Sequence, residues 1–180
     1  MKTALIPFAD GSEELEAITI VNILRRAGVT VTLAGLTAGA LRGSRGVVIV
    51  PDTTLDEALT QEYDIVIFPG GQPGTNTLKA DARVLQLVLK MSRQGKYVAA
   101  ICAAPSILAT AGLLDGKQAT SFPGALTPFP AVKQHPTAIV EDGKIITSRG
   151  PGTAMDFALH LAEHLVGREK RREVEAALQR

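Results

Sequence analysis

The only cysteine of the chain, Cys102, lies in the stretch YVAAICAAP, between an apolar run that reads as a buried strand and a run that reads as a helix. A sharp strand-to-helix turn needs small neighbours, and Ala103 and Ala104 supply them. Such an elbow holds its central side chain over the sheet, where the helix N-terminus offers amide donors and a positive partial charge, so a thiolate is favoured there. The glycines of the usual nucleophile elbow are replaced by alanines, and a buried lone cysteine also has an inert reading as a small apolar side chain. In IVIFPGGQPG, Gly70 and Gly71 follow another strand and leave two unshielded amides that suit a developing oxyanion, or simply a tight turn. In DGSEELEA three carboxylates open a helix, where capping and the helix dipole ordinarily account for them. Glu16, however, falls on one stripe with Ile20, Ile23 and Ala27, the face expected to meet the sheet. Burial disfavours its charge, so Glu16 is predicted to be wholly or partly protonated near neutral pH, able to donate to a thiolate or exchange a proton with substrate. Glu13 shares the stripe by angle but sits where it could cap the helix, and periodicity does not choose between these. His160 and His164 stand four apart, but with Asp156 they trace the polar face of their helix, which reads as a solvated face and not as a metal site.

The elements that must position these groups follow in regular alternation. Strands are predicted at Thr3–Phe8, Thr30–Ala34, Val47–Val50, Ile65–Phe68, Tyr97–Ile101, Thr137–Val140 and Ile145–Ser148. Helices are predicted at about Glu13–Ala27, Leu55–Leu59, Ala82–Gln94, Ala104–Leu114, from Thr153 to near Gly167, and Glu169–Leu178, with Thr153 and Asp156 in a capping-box-like start. Residues 121–136 carry Pro123, Pro128, Pro130 and Pro136 and read as irregular. Near-continuous apolar strands between amphipathic helices imply an α/β, flavodoxin-like three-layer sandwich with a mostly parallel central sheet. In that architecture the loops after Phe8, Phe68 and Ile101 converge at the carboxyl ends of the strands, which brings the three motifs together.

With 180 residues the chain fits one domain, 1–180. Nineteen basic against eighteen acidic residues give a net charge of +1, which provides no field to gather nucleic-acid phosphates or an anionic membrane surface. No apolar stretch approaches the roughly 18 residues of a spanning helix, the opening residues are too short an apolar run for a secretory signal, and a lone cysteine suits a reducing compartment. The expected setting is the cytoplasm. The basic residues of the last helix are interleaved with glutamates, which points to a solvated or interface helix and not to a nucleic-acid patch.

GSEELEA, FPGGQPG, AAICAAP and TSRGPGT, in this order and spacing, resemble the DJ-one/ThiJ/PfpI superfamily, in its parkinsonism-associated deglycase branch, with bacterial YajL-like proteins as the expected nearest group. The resemblance spans nearly the whole chain. It implies Cys102 as the reactive nucleophile, Glu16 as the carboxylic acid hydrogen-bonded to it, and the Gly71 and Ala103 amides around the sulfur and any oxyanion. It also implies a homodimer packed partly through the first helix, with Arg45 and Arg149 near the interface. The expected activity is cofactor-independent conversion of glyoxal or methylglyoxal to glycolate or lactate, with deglycation of protein side chains as a related action; the alternative is a redox-sensing stress chaperone governed by oxidation of Cys102. A peptidase is disfavoured, because Ala103 occupies the place of that branch's histidine, and a hydrolase or amidotransferase would want an imidazole base. His135 is the one histidine whose region matches a family histidine near the cysteine. SRGPGT, before the penultimate helix, suits either an anion or ordinary loop-and-cap geometry.

Overall fold

A computed structural model describes residues 1–180. Strand β1 (Thr3–Phe8) leads through a turn to helix α1 (Glu14–Arg26) and strand β2 (Thr30–Gly35). A short hairpin of β3 (Leu41–Arg42) and β4 (Val48–Ile49) precedes β5 (Thr53–Thr54) and the one-turn helix α2 (Leu55–Ala58). There follow β6 (Ile65–Phe68), α3 (Gln72–Ala80), α4 (Ala82–Arg93), β7 (Tyr97–Ile101) and α5 (Pro105–Thr110). Strands β8 (Gln118–Ala119), β9 (Lys133–Gln134), β10 (Ile139–Asp142) and β11 (Ile145–Ser148) lead to α6 (Ala154–Val166) and α7 (Arg168–Ala177).

Seven strands form the central sheet in the order β10-β11-β7-β6-β1-β2-β5, parallel throughout except that β10 runs antiparallel to β11 on the edge. Side chains alternate faces along each strand. Ile6, Ile67, Ala99 and Ile101 join the core under α1 and α6, whereas Leu5, Val66, Phe68, Val98 and Ala100 join the core under α4 and α5. Burial on both faces is why these strands read as continuous apolar runs. The fold is the α/β, flavodoxin-like one, and none of its helices is long and apolar enough to cross a membrane.

The departures from the expected elements have local causes. Residues 47–50 do not join the central sheet; Val48–Ile49 pairs back on Leu41–Arg42, and Thr53–Thr54 takes the place beside β2. Helix α3 lies where the FPGGQPG loop was expected, because Pro73 falls in its first turn and Gly74 is small enough to pack on the β1–α1 turn: a Cβ at Gly74 would meet the Ser12 nitrogen at 2.3 Å. The proline-rich segment contains one short parallel pairing, Gln118–Ala119 with Lys133–Gln134. The capping box at Thr153 does not form. The Thr153 side chain caps no α6 amide and instead donates to the Gly150 carbonyl at 2.9 Å, with Ser148 Oγ 2.7 Å away, inside a single 3-10 turn at Pro151–Thr153.

Candidate active site

Cys102 follows the last residue of β7 with φ +64°, in the left-handed region that non-glycine residues rarely occupy. Backbone hydrogen bonds on either side hold it there: its N–H donates to the Ser148 carbonyl at 3.0 Å, its carbonyl accepts from the Phe122 N–H at 2.8 Å, and the Ala104 N–H closes the turn onto Ile101 at 3.0 Å. This is the strand-to-helix elbow expected from AAICAAP. Cys102 is 8% exposed and lines a cleft of about 320 Å³.

Glu16 sits on the inward stripe of α1 as its periodicity requires, with no solvent exposure, and Ile20, Ile23 and Ala27 are buried behind it. Its Oε2 accepts a 2.7 Å hydrogen bond from the Gly70 N–H, and its carboxyl contacts the Cys102 thiol. Oε1 is buried without a hydrogen-bond partner. Burial pushes the Glu16 carboxyl up to about 7, against the opposing pull of the Gly70 amide. Burial likewise pushes the Cys102 thiol up, and the negative charge of an ionised Glu16 adds to this, to about 12, while the neighbouring Gly71 and Ala103 amides pull it down. The elbow's dipoles therefore do not secure a thiolate by themselves, a correction to the sequence-based expectation: desolvation is the larger effect. The state of the pair is set jointly, because a proton on Glu16 removes the carboxylate charge that opposes ionisation of the sulfur. A carboxylate would leave Oε1 with a desolvated, unpaired charge, so burial favours the neutral acid at Glu16. Burial is thus the leading effect on both groups, and it opposes charge on either of them.

The two neighbouring carboxylates have other partners. Glu13 does not cap α1 with its side chain; Ser44 Oγ donates to its Oε2 at 2.6 Å, and it lines the Cys102 cleft with Ser44 and Arg45. Glu14 accepts from the Arg45 N–H at 2.9 Å and the Val47 N–H at 3.2 Å, tying the β3–β4 hairpin to α1. Burial opposes its charge, but these amides and its own outweigh that and hold its carboxyl below the usual range. The hairpin wall escaped sequence reasoning because its anchor is a contact 31 residues away along the chain.

Gly70 and Gly71 have steric reasons to be glycine. A Cβ on Gly70 would lie 2.6 Å from the Cys102 Cβ and 2.9 Å from Glu16 Oε2, and Gly71 has φ +82° with the Gly11 carbonyl oxygen 2.5 Å from where its Cβ would be. Gly70→Ala is expected to destabilise the fold by about 1–3 kcal/mol through overpacking, read as a lower denaturant midpoint, and to reduce the reactivity of Cys102 because both of its partners must move.

His135 does not line the Cys102 cleft. It borders an adjoining groove with Arg149, and Phe122 is the wall common to both. No histidine lines the cleft itself, so an imidazole base beside the sulfur is absent. Arg45 is 80% exposed in its side chain, at the cleft mouth. His160 and His164 are not on a freely solvated face; their rings turn toward Glu141 on β10.

Residues 2–164 match the DJ-1/PfpI family. The chain belongs to this family. It is 43% identical to Protein dj-1beta of Drosophila melanogaster over 98% of this chain and 96% of that one. It is 33% identical to the glutathione-independent glyoxalase DJR-1.2 of Caenorhabditis elegans over 94% and 91% of the two chains. Among solved structures, Drosophila DJ-1beta superposes with a TM-score of 0.95 over 99% of this chain and 97% of that one. Oxidized DJ-1 from Toxoplasma gondii, 36% identical, also gives 0.95, over 99% and 98%. These relatives do not single out the YajL-like group expected from the motifs.

Proposed function

We propose that this protein is a cofactor-independent glyoxalase acting on small dicarbonyls through Cys102 and Glu16. The observation that carries the reading is the contact between the buried Glu16 carboxyl and the Cys102 sulfur, beside the Gly71 and Ala103 amides. In this reading the Cys102 thiolate attacks the aldehyde carbon of methylglyoxal; the C–S bond forms and the carbonyl electron pair moves to oxygen, close to the Gly71 and Ala103 amides. Glu16 gives its proton to that oxygen, and its carboxylate then takes the C1 proton and returns one to C2 through an enediol. The result is a thioester of a 2-hydroxy acid. Water attacks it, the C–S bond breaks, and lactate leaves with the thiolate restored; the sum is methylglyoxal plus water, with no external oxidant or reductant. Glyoxal gives glycolate by the same steps. The named activity of the Caenorhabditis relative supports this reading, and release of glycated side chains would have the Cys102 sulfur displace the amine or thiol from the hemiaminal or hemithioacetal carbon, the departing group taking up a proton and the remaining adduct following the same later steps. The test is lactate formation by purified protein without glutathione or added metal, compared with Cys102→Ser. Wild-type turnover that the variant lacks supports the proposal, and equal rates overturn it.

Oxidation sensing is a second reading favoured by a specific observation: the donors around Cys102 suit a sulfinate as well as a thiolate, and a solved relative is in an oxidized state. Peroxide would supply the oxygen atoms. Retention of full client-protective activity by Cys102→Ser after peroxide treatment would remove it.

The same reading includes a cytoplasmic homodimer. Leu15 and Ile18 on α1, Val47 and Val48 on the hairpin and Met155 at the start of α6 are large apolar side chains at 38–54% exposure. They suit a second copy of the chain more than water. Ile18→Glu is expected to halve the mass seen by light scattering at micromolar concentration, while an unchanged mass would contradict packing through α1.

A further inference from the structure

Cys102 follows the carboxyl end of β7. Near the other end of that strand, α6 and β10 bring together three side chains that the proposed chemistry does not use. His160 and His164, one turn apart on α6, place their Nε2 atoms 3.2 Å apart. Glu141 Oε2, from the edge strand, lies 3.2 Å from the first and 2.9 Å from the second. We propose that Glu141, His160 and His164 are a binding site for a divalent first-row transition-metal ion, with zinc the best-suited member, and that the ion ties the edge strand to α6.

The three atoms form a nearly equilateral triangle, which suits a cation better than protons. With both imidazoles protonated at Nε2, two N–H groups crowd onto one side of one carboxylate oxygen while facing each other. With either one unprotonated, its lone pair faces that of the carboxylate. The Tyr97 hydroxyl lies 3.4 Å from His164 Nδ1, so the tautomer that donates to Tyr97 is the one whose Nε2 lone pair points into the triangle. A hydrogen-bonded outer nitrogen is the usual support of a metal-binding histidine. Metal–ligand bonds of roughly 2.0–2.2 Å put donor atoms about 3.3 Å apart at tetrahedral angles and about 2.9 Å apart at right angles. The observed separations of 2.9–3.2 Å fall near this range without rearrangement. Two imidazoles and a carboxylate favour zinc or its neighbours over calcium or magnesium, which prefer all-oxygen sets. The side chains are 24–35% exposed, so water can complete the coordination shell.

The choice of elements gives the ion a structural consequence. Strand β10 pairs only with β11 in the central sheet, so a ligand on β10 and two on α6 add a cross-link where the sheet ends. The sequence pattern alone did not reveal the site, because the third ligand lies on another element, 19 residues before His160.

The test is calorimetric titration of zinc(II) into the full chain after chelator treatment. Wild-type protein and Cys102→Ser are both expected to bind one zinc at this site with micromolar or tighter affinity, and to melt at higher temperature when loaded. His160→Asn, His164→Asn and Glu141→Gln are each expected to weaken that binding about 10-fold or more. The three variants change partly exposed side chains and lie outside the Cys102 cleft, so their circular dichroism and lactate formation should match wild type. If one of them fails to fold, the other two decide the matter. Zinc lost on Cys102→Ser but kept by the histidine and glutamate variants, or no binding to wild type below about 100 μM, would overturn the site.

Discussion

Replacing Cys102 by serine is expected to lower lactate formation from methylglyoxal by about a thousandfold or more, with the fold intact. The two side chains differ by one atom, and the backbone at φ +64° is held by hydrogen bonds to the Ser148 carbonyl, from the Phe122 N–H and from the Ala104 N–H to the Ile101 carbonyl, which the substitution does not touch. The loss is chemical. A serine hydroxyl is a much weaker acid than a thiol and a poorer nucleophile, and no imidazole lines the cleft to deprotonate it. Retention of more than about a tenth of the wild-type rate, with circular dichroism unchanged, would mean that the sulfur is not the attacking group.

Glu16→Gln is expected to separate the acid's two roles. The amide is close in shape, its oxygen can accept from the Gly70 N–H as Oε2 does, and its NH₂ can donate to the sulfur. It cannot move a proton between adjacent carbons. The turnover number should therefore fall about 10²–10⁴-fold, the usual contribution of a positioned acid–base group, while alkylation of Cys102 by iodoacetamide stays within a few-fold of wild type. Loss of both would make Glu16 a group that only sustains the thiolate. Loss of neither would remove it from the chemistry.

The parts of the site legible in the sequence were those written in local periodicity and turn chemistry. The stripe of Glu16, Ile20, Ile23 and Ala27 is fixed by helical geometry, and all four are buried. The elbow at Cys102 is marked by small residues between a strand and a helix, and the convergence of its loop with those after Phe8 and Phe68 follows from a parallel sheet. What was not legible depends on distant pairs. Glu14 is indistinguishable from a helix-opening carboxylate until the hairpin amides of Arg45 and Val47 lie against it, and Glu141 carries no mark of its neighbours on α6. Helix α3 was hidden by Pro73 and Gly74, which signal a turn by composition but here permit the helix to pack on Ser12. The ionisation of Cys102 was the subtlest part: helix and loop dipoles can be anticipated from position, but the burial that opposes them depends on the assembled walls of the cleft.

Where the pair of Cys102 and Glu16 keeps its single negative charge decides whether the nucleophile forms, and the ultraviolet thiolate absorbance of wild type minus Cys102→Ser, followed across pH, reads this directly. If the charge rests on sulfur beside a neutral acid, the thiolate signal should be present at neutral pH and disappear on acidification, with a midpoint at or below about 7, well under the roughly 8.5 of a free thiol. If the signal is missing at neutral pH and rises only toward about 12, the proton is on sulfur and the charge on Glu16, and the nucleophile proposed for this protein is not formed under working conditions.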